Sequence, residues 1–81
     1  MKKNLTSIEK LIIKRMREAR KDYDYYMAHE CYRVAFESAV KFKEDVSLLY
    51  HVDVLNEIQF DLLYNLSYRM YQTAFNNTYI Q

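Results

Sequence analysis

The residues with the most obvious chemical potential are the adjacent His29, Glu30 and Cys31, together with His51. Imidazole, carboxylate and thiol groups can bind a metal ion or form a cysteine nucleophile with its base. On a helix, however, the side chains at positions 29 and 31 point about 200° apart and cannot ligate one metal together. The His-Glu-x-x-His spacing of a zinc helix is also missing. We expect no enzyme, no metal and no cofactor, and we expect Cys31 to be a small buried residue.

The elements that carry these residues are helices, because the composition excludes most other folds. The 81 residues include no Gly, Pro or Trp, yet nine Tyr and four Phe. Phosphate-binding loops, tight hairpins and nucleophile elbows depend on the positive φ of glycine. A hydrophobic content of 51% argues against a disordered tail. We predict a single all-α domain over 1–81, a small bundle of two or three long antiparallel helices completed by self-association or a partner helix.

Apolar residues recur at steps of three and four along the chain, the period of an α-helix. Thr6 and Glu9 fit a capping box that starts the first helix. The pattern is interrupted weakly around Asp22 and more clearly at 43–47, where Asp45 can cap a new helix. The pattern predicts helices at 6–21, 23–43 and 46–76, although 6–43 also fits one continuous helix.

Charge is distributed unevenly. Residues 1–21 carry eight basic and two acidic side chains, a net charge of +6, whereas residues 22–81 carry four basic and nine acidic ones, a net charge of −5. Four of the basic residues form one face of the first helix: Lys10, Lys14, Arg17 and Lys21. This basic face is either a solvated surface or a site for an acidic protein, nucleic acid or an anionic membrane. A whole-chain charge of +1 makes nucleic acid the less favoured partner. Arg15 falls within the apolar arc, and we expect its stem to lie along the edge of the core.

The last predicted helix has two apolar sides. One side is aliphatic and consists of Leu55, Ile58, Leu62, Leu66 and Met70. The opposite side is an aromatic stripe that consists of Phe60, Tyr64, Tyr68, Tyr71 and Phe75. Such a helix is either central in its own fold or presents one side to another molecule. Because so short a chain has few elements to cover both sides, and because Tyr favours interfaces, we predict that the aromatic stripe binds a partner.

An acidic row precedes the aromatic stripe at four-residue spacing and consists of Asp53, Glu57 and Asp61. A partner helix with basic residues at the same pitch would match it. Lys10, Lys14 and Arg17 have that pitch, and they could be supplied by this chain or by a second copy. Exposed ion pairs contribute only about 0.2–1 kcal/mol each, so the row would select register more than supply affinity.

Two segments suggest a family: the basic opening 7–15 (SIEKLIIKR) and the tyrosine-rich segment 62–68 (LLYNLSY). With these segments and its short length, the chain resembles the RIII antiholins, the lysis-inhibition proteins of T-even bacteriophages. The resemblance implies a cytoplasmic regulator that binds the short cytoplasmic part of a holin and delays lysis. It concerns overall character and assigns no functional residues.

The sequence therefore predicts a non-enzymatic, cytoplasmic regulator that binds a helix or short cytoplasmic segment of another protein, forms a homo-oligomer, or does both. The alternative function is polyanion binding, to nucleic acid or an anionic membrane, through the basic face of the first helix. No stretch approaches the roughly 18–20 apolar residues of a membrane span. The single cysteine fits a reducing compartment.

Overall fold

Residues 4–79, which the computed structural model describes, form three helices and no strand. The helices are α1 (Ser7–Ala28), α2 (Tyr32–His51) and α3 (Glu57–Tyr79). Both α1 and α3 pack along α2, whereas α1 and α3 approach each other at few positions. Short turns at 29–31 and 52–56 reverse the chain, so α1 and α3 run parallel to each other and antiparallel to α2. The predicted all-α bundle is confirmed, and it measures 44 × 21 × 14 Å.

The start of α1 follows the predicted capping box. The Glu9 backbone N–H donates to Thr6 Oγ1 at 3.1 Å, and the Thr6 backbone N–H donates to Glu9 Oε1 at 3.0 Å. The helix then continues through Asp22, where the prediction placed a break, because the charged residues there are compatible with a helix. Arg20 pairs with Asp24 one turn later, and Tyr23 points into the core. The prediction that the first helix ends at 21 is wrong.

The turn between α1 and α2 uses a residue other than glycine in the left-handed region. Glu30 has a φ of 59°. Its N–H donates to the Met27 carbonyl at 3.1 Å, and the Cys31 N–H donates to the Tyr26 carbonyl at 2.8 Å. This pair of bonds is the Schellman motif that usually places glycine where Glu30 stands. The motif leaves Cys31 exposed at the start of α2, so the expectation of a buried cysteine is wrong.

The turn between α2 and α3 repeats the motif. Asp53 has a φ of 61°, and the Val54 N–H donates to the Leu49 carbonyl at 2.9 Å. Both Val54 and Leu49 are completely buried, and they supply the apolar contact that accompanies a Schellman motif. The next helix is capped by Asn56, whose backbone and side chain exchange hydrogen bonds with Gln59 at 3.0 and 2.8 Å.

α2 passes without interruption through 43–47, so the predicted turn there and the predicted helix over 46–76 are wrong. Asp45 does not cap a helix. It is buried in the middle of α2, and Arg15 Nε of α1 donates to both of its carboxylate oxygens at 3.1 Å. The Arg15 side chain remains 63% exposed beyond this ion pair. The hydrogen bond and the negative charge of Asp45 raise the pKa of the Arg15 guanidinium above its ordinary value.

Small residues bring the helices together around a narrow core. Ala35 and Ala39 of α2 and Ser67 and Ala74 of α3 have no exposed surface. The large core residues fill the space beside them: Ile12, Ile13, Tyr23, Phe42, Val46, Leu49, Val54, Leu55 and Met70. Within residues 4–79, no helix combines the length and the apolar character that a membrane span requires.

Candidate docking surface

Part of the aromatic stripe of α3 lies against α2. The ring of Phe60 stacks on Tyr50 with centroids 4.2 Å apart, and Tyr71 meets Phe36 edge-on at 6.0 Å. Phe60, Tyr64 and Tyr71 are half-buried and pack against the core. These three predicted partner-binding residues are therefore already engaged by the chain's own helix, which leaves them only partly accessible to another molecule.

Lys43 of α2 makes cation–π contacts with two of these rings. Its ammonium nitrogen lies 5.8 Å from the centroid of Tyr64 and 5.3 Å from that of Tyr71. A cation over a ring at this distance contributes about 0.5–1 kcal/mol at a partly exposed site. The contact depends on α2 continuing through Lys43, where the sequence pattern predicted the beginning of a turn.

Five large apolar side chains of α3 stay exposed, and we call them the outer face of α3: Ile58, Leu62, Tyr68, Phe75 and Tyr79. At about 100° per residue they fall within an arc of roughly 140° on the helix. The aliphatic pair is the most exposed, with 73% of Ile58 and 67% of Leu62 accessible. Two predicted partner-binding residues, Tyr68 and Phe75, belong to this face, whereas Ile58 and Leu62 were absent from the predicted site.

The rotation of α3 explains why Ile58 and Leu62 are outside. Ser67 and Ala74 are buried where α3 meets α2, and residues one turn from them, including Leu63 and Tyr71, line the same contact. The seven-residue spacing of the two small side chains is a signal in the sequence that marks the closest approach of two helices. Hydrophobicity alone hides this signal, because α3 is apolar on both sides.

The acidic row is shorter than predicted. Glu57 begins α3 and Asp61 lies one turn later on the same side, but Asp53 belongs to the preceding turn with a left-handed backbone. Glu57 and Asp61 are exposed, and within residues 4–79 neither forms an ion pair. The outer face of α3 thus has a negatively charged edge at its first two turns.

The basic face of α1 is also present and exposed. Lys10, Lys14, Arg17 and Lys21 line one shallow groove, whose apolar floor includes Ile13. None of the four is in an ion pair with another residue of the described part of the chain. The basic face and the acidic row are therefore not matched within one chain.

A second exposed aliphatic pair lies at the start of α1. Ile8 is 71% and Leu11 is 63% exposed, although both belong to the apolar arc of the helix. The rotation of α1 that pairs Arg15 with Asp45 also buries Ile12 and leaves Ile8 and Leu11 at the edge. Only the packed structure distinguishes these neighbouring positions.

Both histidines make local hydrogen bonds at the C-terminal ends of helices. The two histidine rings each bond through Nδ1 to the carbonyl four residues earlier, His29 to Tyr25 and His51 to Ser47, both at 2.8 Å. Within residues 4–79, no three His, Cys, Asp or Glu side chains are grouped so that they could hold a metal ion. In comparisons with known proteins, no family model, no curated protein and no solved structure matches this chain.

Proposed function

We propose that the protein is a non-enzymatic regulator that binds another protein through the outer face of α3. The observation that carries this proposal is the 73% and 67% exposure of Ile58 and Leu62 beside Tyr68 and Phe75. Covering an exposed Ile or Leu completely is worth about 1.5–3 kcal/mol, so exposed side chains of this size favour association. Tyr and Phe add rigid contact area at little cost in conformational entropy.

The chemistry of the face specifies the kind of partner. An amphipathic helix with an apolar stripe would cover Ile58 and Leu62 at successive turns and Tyr68 further along α3. Basic residues beside that stripe would pair with Glu57 and Asp61, which have no partner among residues 4–79. These charges would fix the register and direction of the partner and exclude acidic helices.

The resemblance to the RIII antiholins gives this proposal a specific form. The partner would be the short cytoplasmic segment of a holin, the protein would reside in the cytoplasm, and binding would delay lysis. The apolar and acidic surface of α3 supports this form, because a short segment can lie along one exposed helix without a deep pocket.

Lysis timing tests the proposal. A bacterial culture that expresses the holin together with the wild-type protein should lyse later than a culture with the holin alone. Replacement of Ile58 and Leu62 by Glu should abolish the delay, because two charges would enter the apolar contact. A matched control with Val34→Glu and Leu48→Glu, two exposed apolar positions of α2, should keep most of it.

Each arm has a result that would contradict the proposal. A delay that the Ile58→Glu, Leu62→Glu variant retains in full would place the binding surface elsewhere. Wild-type protein without any effect on lysis would reject the holin as partner. Circular dichroism of each variant should show unchanged helicity, since both replaced side chains are exposed.

Polyanion binding is a second candidate, supported by the exposed and unpaired basic face of α1. If Lys10, Lys14, Arg17 and Lys21 contact four phosphates, affinity for duplex DNA should fall about 100-fold between 50 and 200 mM salt. A gel-shift experiment with the first three changed to Gln should lose the shift, whereas a control with the exposed Arg33 and Lys41 of α2 changed to Gln should keep it. Absence of any shift at low salt would reject this candidate.

A further inference from the structure

We propose that Ile58 and Leu62, in the first two turns of the outer face of α3, are covered by α1 of a second copy of this chain. The inference rests on the proposed function, because it takes the same face as the binding surface and names the occupant. The four most exposed aliphatic side chains of the described residues form two pairs, one at the start of α1 and one at the start of α3. The pairs are Ile8 with Leu11, and Ile58 with Leu62.

The charges beside the two pairs are complementary. On α1, Lys10 and Lys14 accompany the aliphatic pair, and on α3, Glu57 and Asp61 accompany theirs. Both charged pairs have four-residue spacing, so they have the same pitch along a helix. All four charged side chains are exposed, and none of them is in an ion pair within residues 4–79.

The position of each charged pair around its helix, relative to the aliphatic pair, specifies an antiparallel contact. At about 100° per residue, each charged pair lies roughly 100° from its aliphatic pair in the same rotational sense. Two helices that face each other place such charges on one side of the seam only if they run in opposite directions. In that arrangement the charges flank an apolar seam, as the e and g residues flank the core of a coiled coil.

One register satisfies all the pairs. When Leu11 lies opposite Ile58, Ile8 comes opposite Leu62, because the antiparallel helices advance in opposite directions. The same register brings Lys10 towards Asp61 and Lys14 towards Glu57. Two apolar contacts and two opposite-charge contacts therefore come from a single alignment.

A single chain cannot make this contact. Both α1 and α3 run antiparallel to α2, so within one chain they are parallel to each other. The antiparallel contact requires an inverted second copy, which supplies its α1 to α3 of the first. Lys10 and Lys14 of the basic face and the acidic edge of α3, unmatched within one chain, become partners between copies.

Charge reversal tests this inference. Wild-type protein in light scattering should show a mass above that of the 9.9 kDa chain, rising with concentration. Lys10→Glu with Lys14→Glu should weaken self-association at least tenfold, and so should Glu57→Lys with Asp61→Lys. An equimolar mixture of the two variants should regain the wild-type affinity, because each then meets an oppositely charged helix. Reversal of Arg33 and Lys41, exposed on α2, is the control and should change nothing.

Engineered cysteines test the register independently. In a Cys31→Ser background, Leu11→Cys in one copy and Ile58→Cys in another should form an intermolecular disulfide. Leu11→Cys mixed with Phe75→Cys should crosslink at least tenfold more slowly, since Phe75 lies outside the proposed contact and Leu11 lies within it.

The outcomes separate this inference from the proposed function. A wild-type chain that stays monomeric at millimolar concentration, or variants that do not recover on mixing, would overturn the second copy as occupant. The proposed function would survive that result if Ile58→Glu with Leu62→Glu still abolished the lysis delay. Self-association without any effect on lysis would support the second copy and reject the holin.

Discussion

The hydroxyl of Tyr23 donates a hydrogen bond to the backbone carbonyl oxygen of Met70, 2.9 Å away, and ties α1 to α3. The nearby guanidinium of Arg20 also reaches the Met70 sulfur at 3.6 Å. Since α1 and α3 otherwise approach each other at few positions, this buried tyrosine links the two outer helices of the bundle. It also explains why the charged stretch around Asp22 stays helical, since Tyr23 must face inward.

Replacement of Tyr23 by Phe should lower the free energy of unfolding by about 1 kcal/mol, because the Met70 carbonyl loses its side-chain donor. Burial raises the pKa of Tyr23 above its ordinary value of 10.0. A tyrosine with a raised pKa in the folded state contributes its full stabilisation below pH 10. This contribution is lost as the pH rises through the pKa of the folded state. Urea unfolding between pH 8 and pH 11 should therefore show the difference between wild type and Tyr23→Phe shrinking at alkaline pH. A constant difference would mean that the hydroxyl is solvated.

The two turns should accept glycine, although the chain contains none. Glu30 and Asp53 have φ values of 59° and 61°, which cost an L-residue with a Cβ about 1 kcal/mol relative to glycine. Glu30→Gly and Asp53→Gly should each raise the free energy of unfolding by up to that amount. Glu37→Gly, on an exposed position within α2, should lower it by about 1 kcal/mol and serves as the control. Thermal unfolding of the three variants provides the measurement. A loss of stability in both turn variants would contradict the left-handed backbone conformation of Glu30 and Asp53.

These turns also show where sequence reasoning reaches its limit. The start of α1 was predictable, because Thr6 and Glu9 form a capping box from local atoms alone. The ends of α1 and α2 were not, because a Schellman motif without glycine leaves no residue-type signal at Glu30 or Asp53. Asp45 was predicted to cap a helix because aspartate is a common capping residue. Only the packed bundle reveals that Arg15 lies opposite it.

The exposed apolar face of α3 was predictable in part, again for a physical reason. The exposure of Tyr68 and Phe75 was expected because so short a chain has few elements to cover both apolar sides of α3. The exposure of Ile58 and Leu62 depends on the rotation of the helix about its own axis. That rotation buries Ser67 and Ala74, and an all-round apolar helix does not reveal it in advance.

The ion pair between Arg15 and Asp45 should behave asymmetrically. Arg15→Met leaves a carboxylate that is only 4% exposed without its cation, whereas Asp45→Asn leaves a guanidinium that is well exposed to water. The first change should therefore lower the melting temperature more than the second. Adding Asp45→Asn to Arg15→Met should recover part of the loss, because the uncompensated buried charge disappears. Additive effects in this double-mutant cycle would show that the two side chains are not coupled.

Leu49 and Leu62 are a matched pair of residues, because they are chemically identical and differ in burial. Leu49 is completely buried, while Leu62 is 67% exposed. Leu49→Ala should cost about 2–5 kcal/mol of folding free energy by leaving a cavity, and Leu62→Ala should stay within about 0.5 kcal/mol. Urea unfolding at a concentration low enough to keep the chain monomeric gives both values. A large cost at Leu62 under these conditions would mean that this residue belongs to the chain's own core, and the outer face of α3 would then no longer be available to any partner.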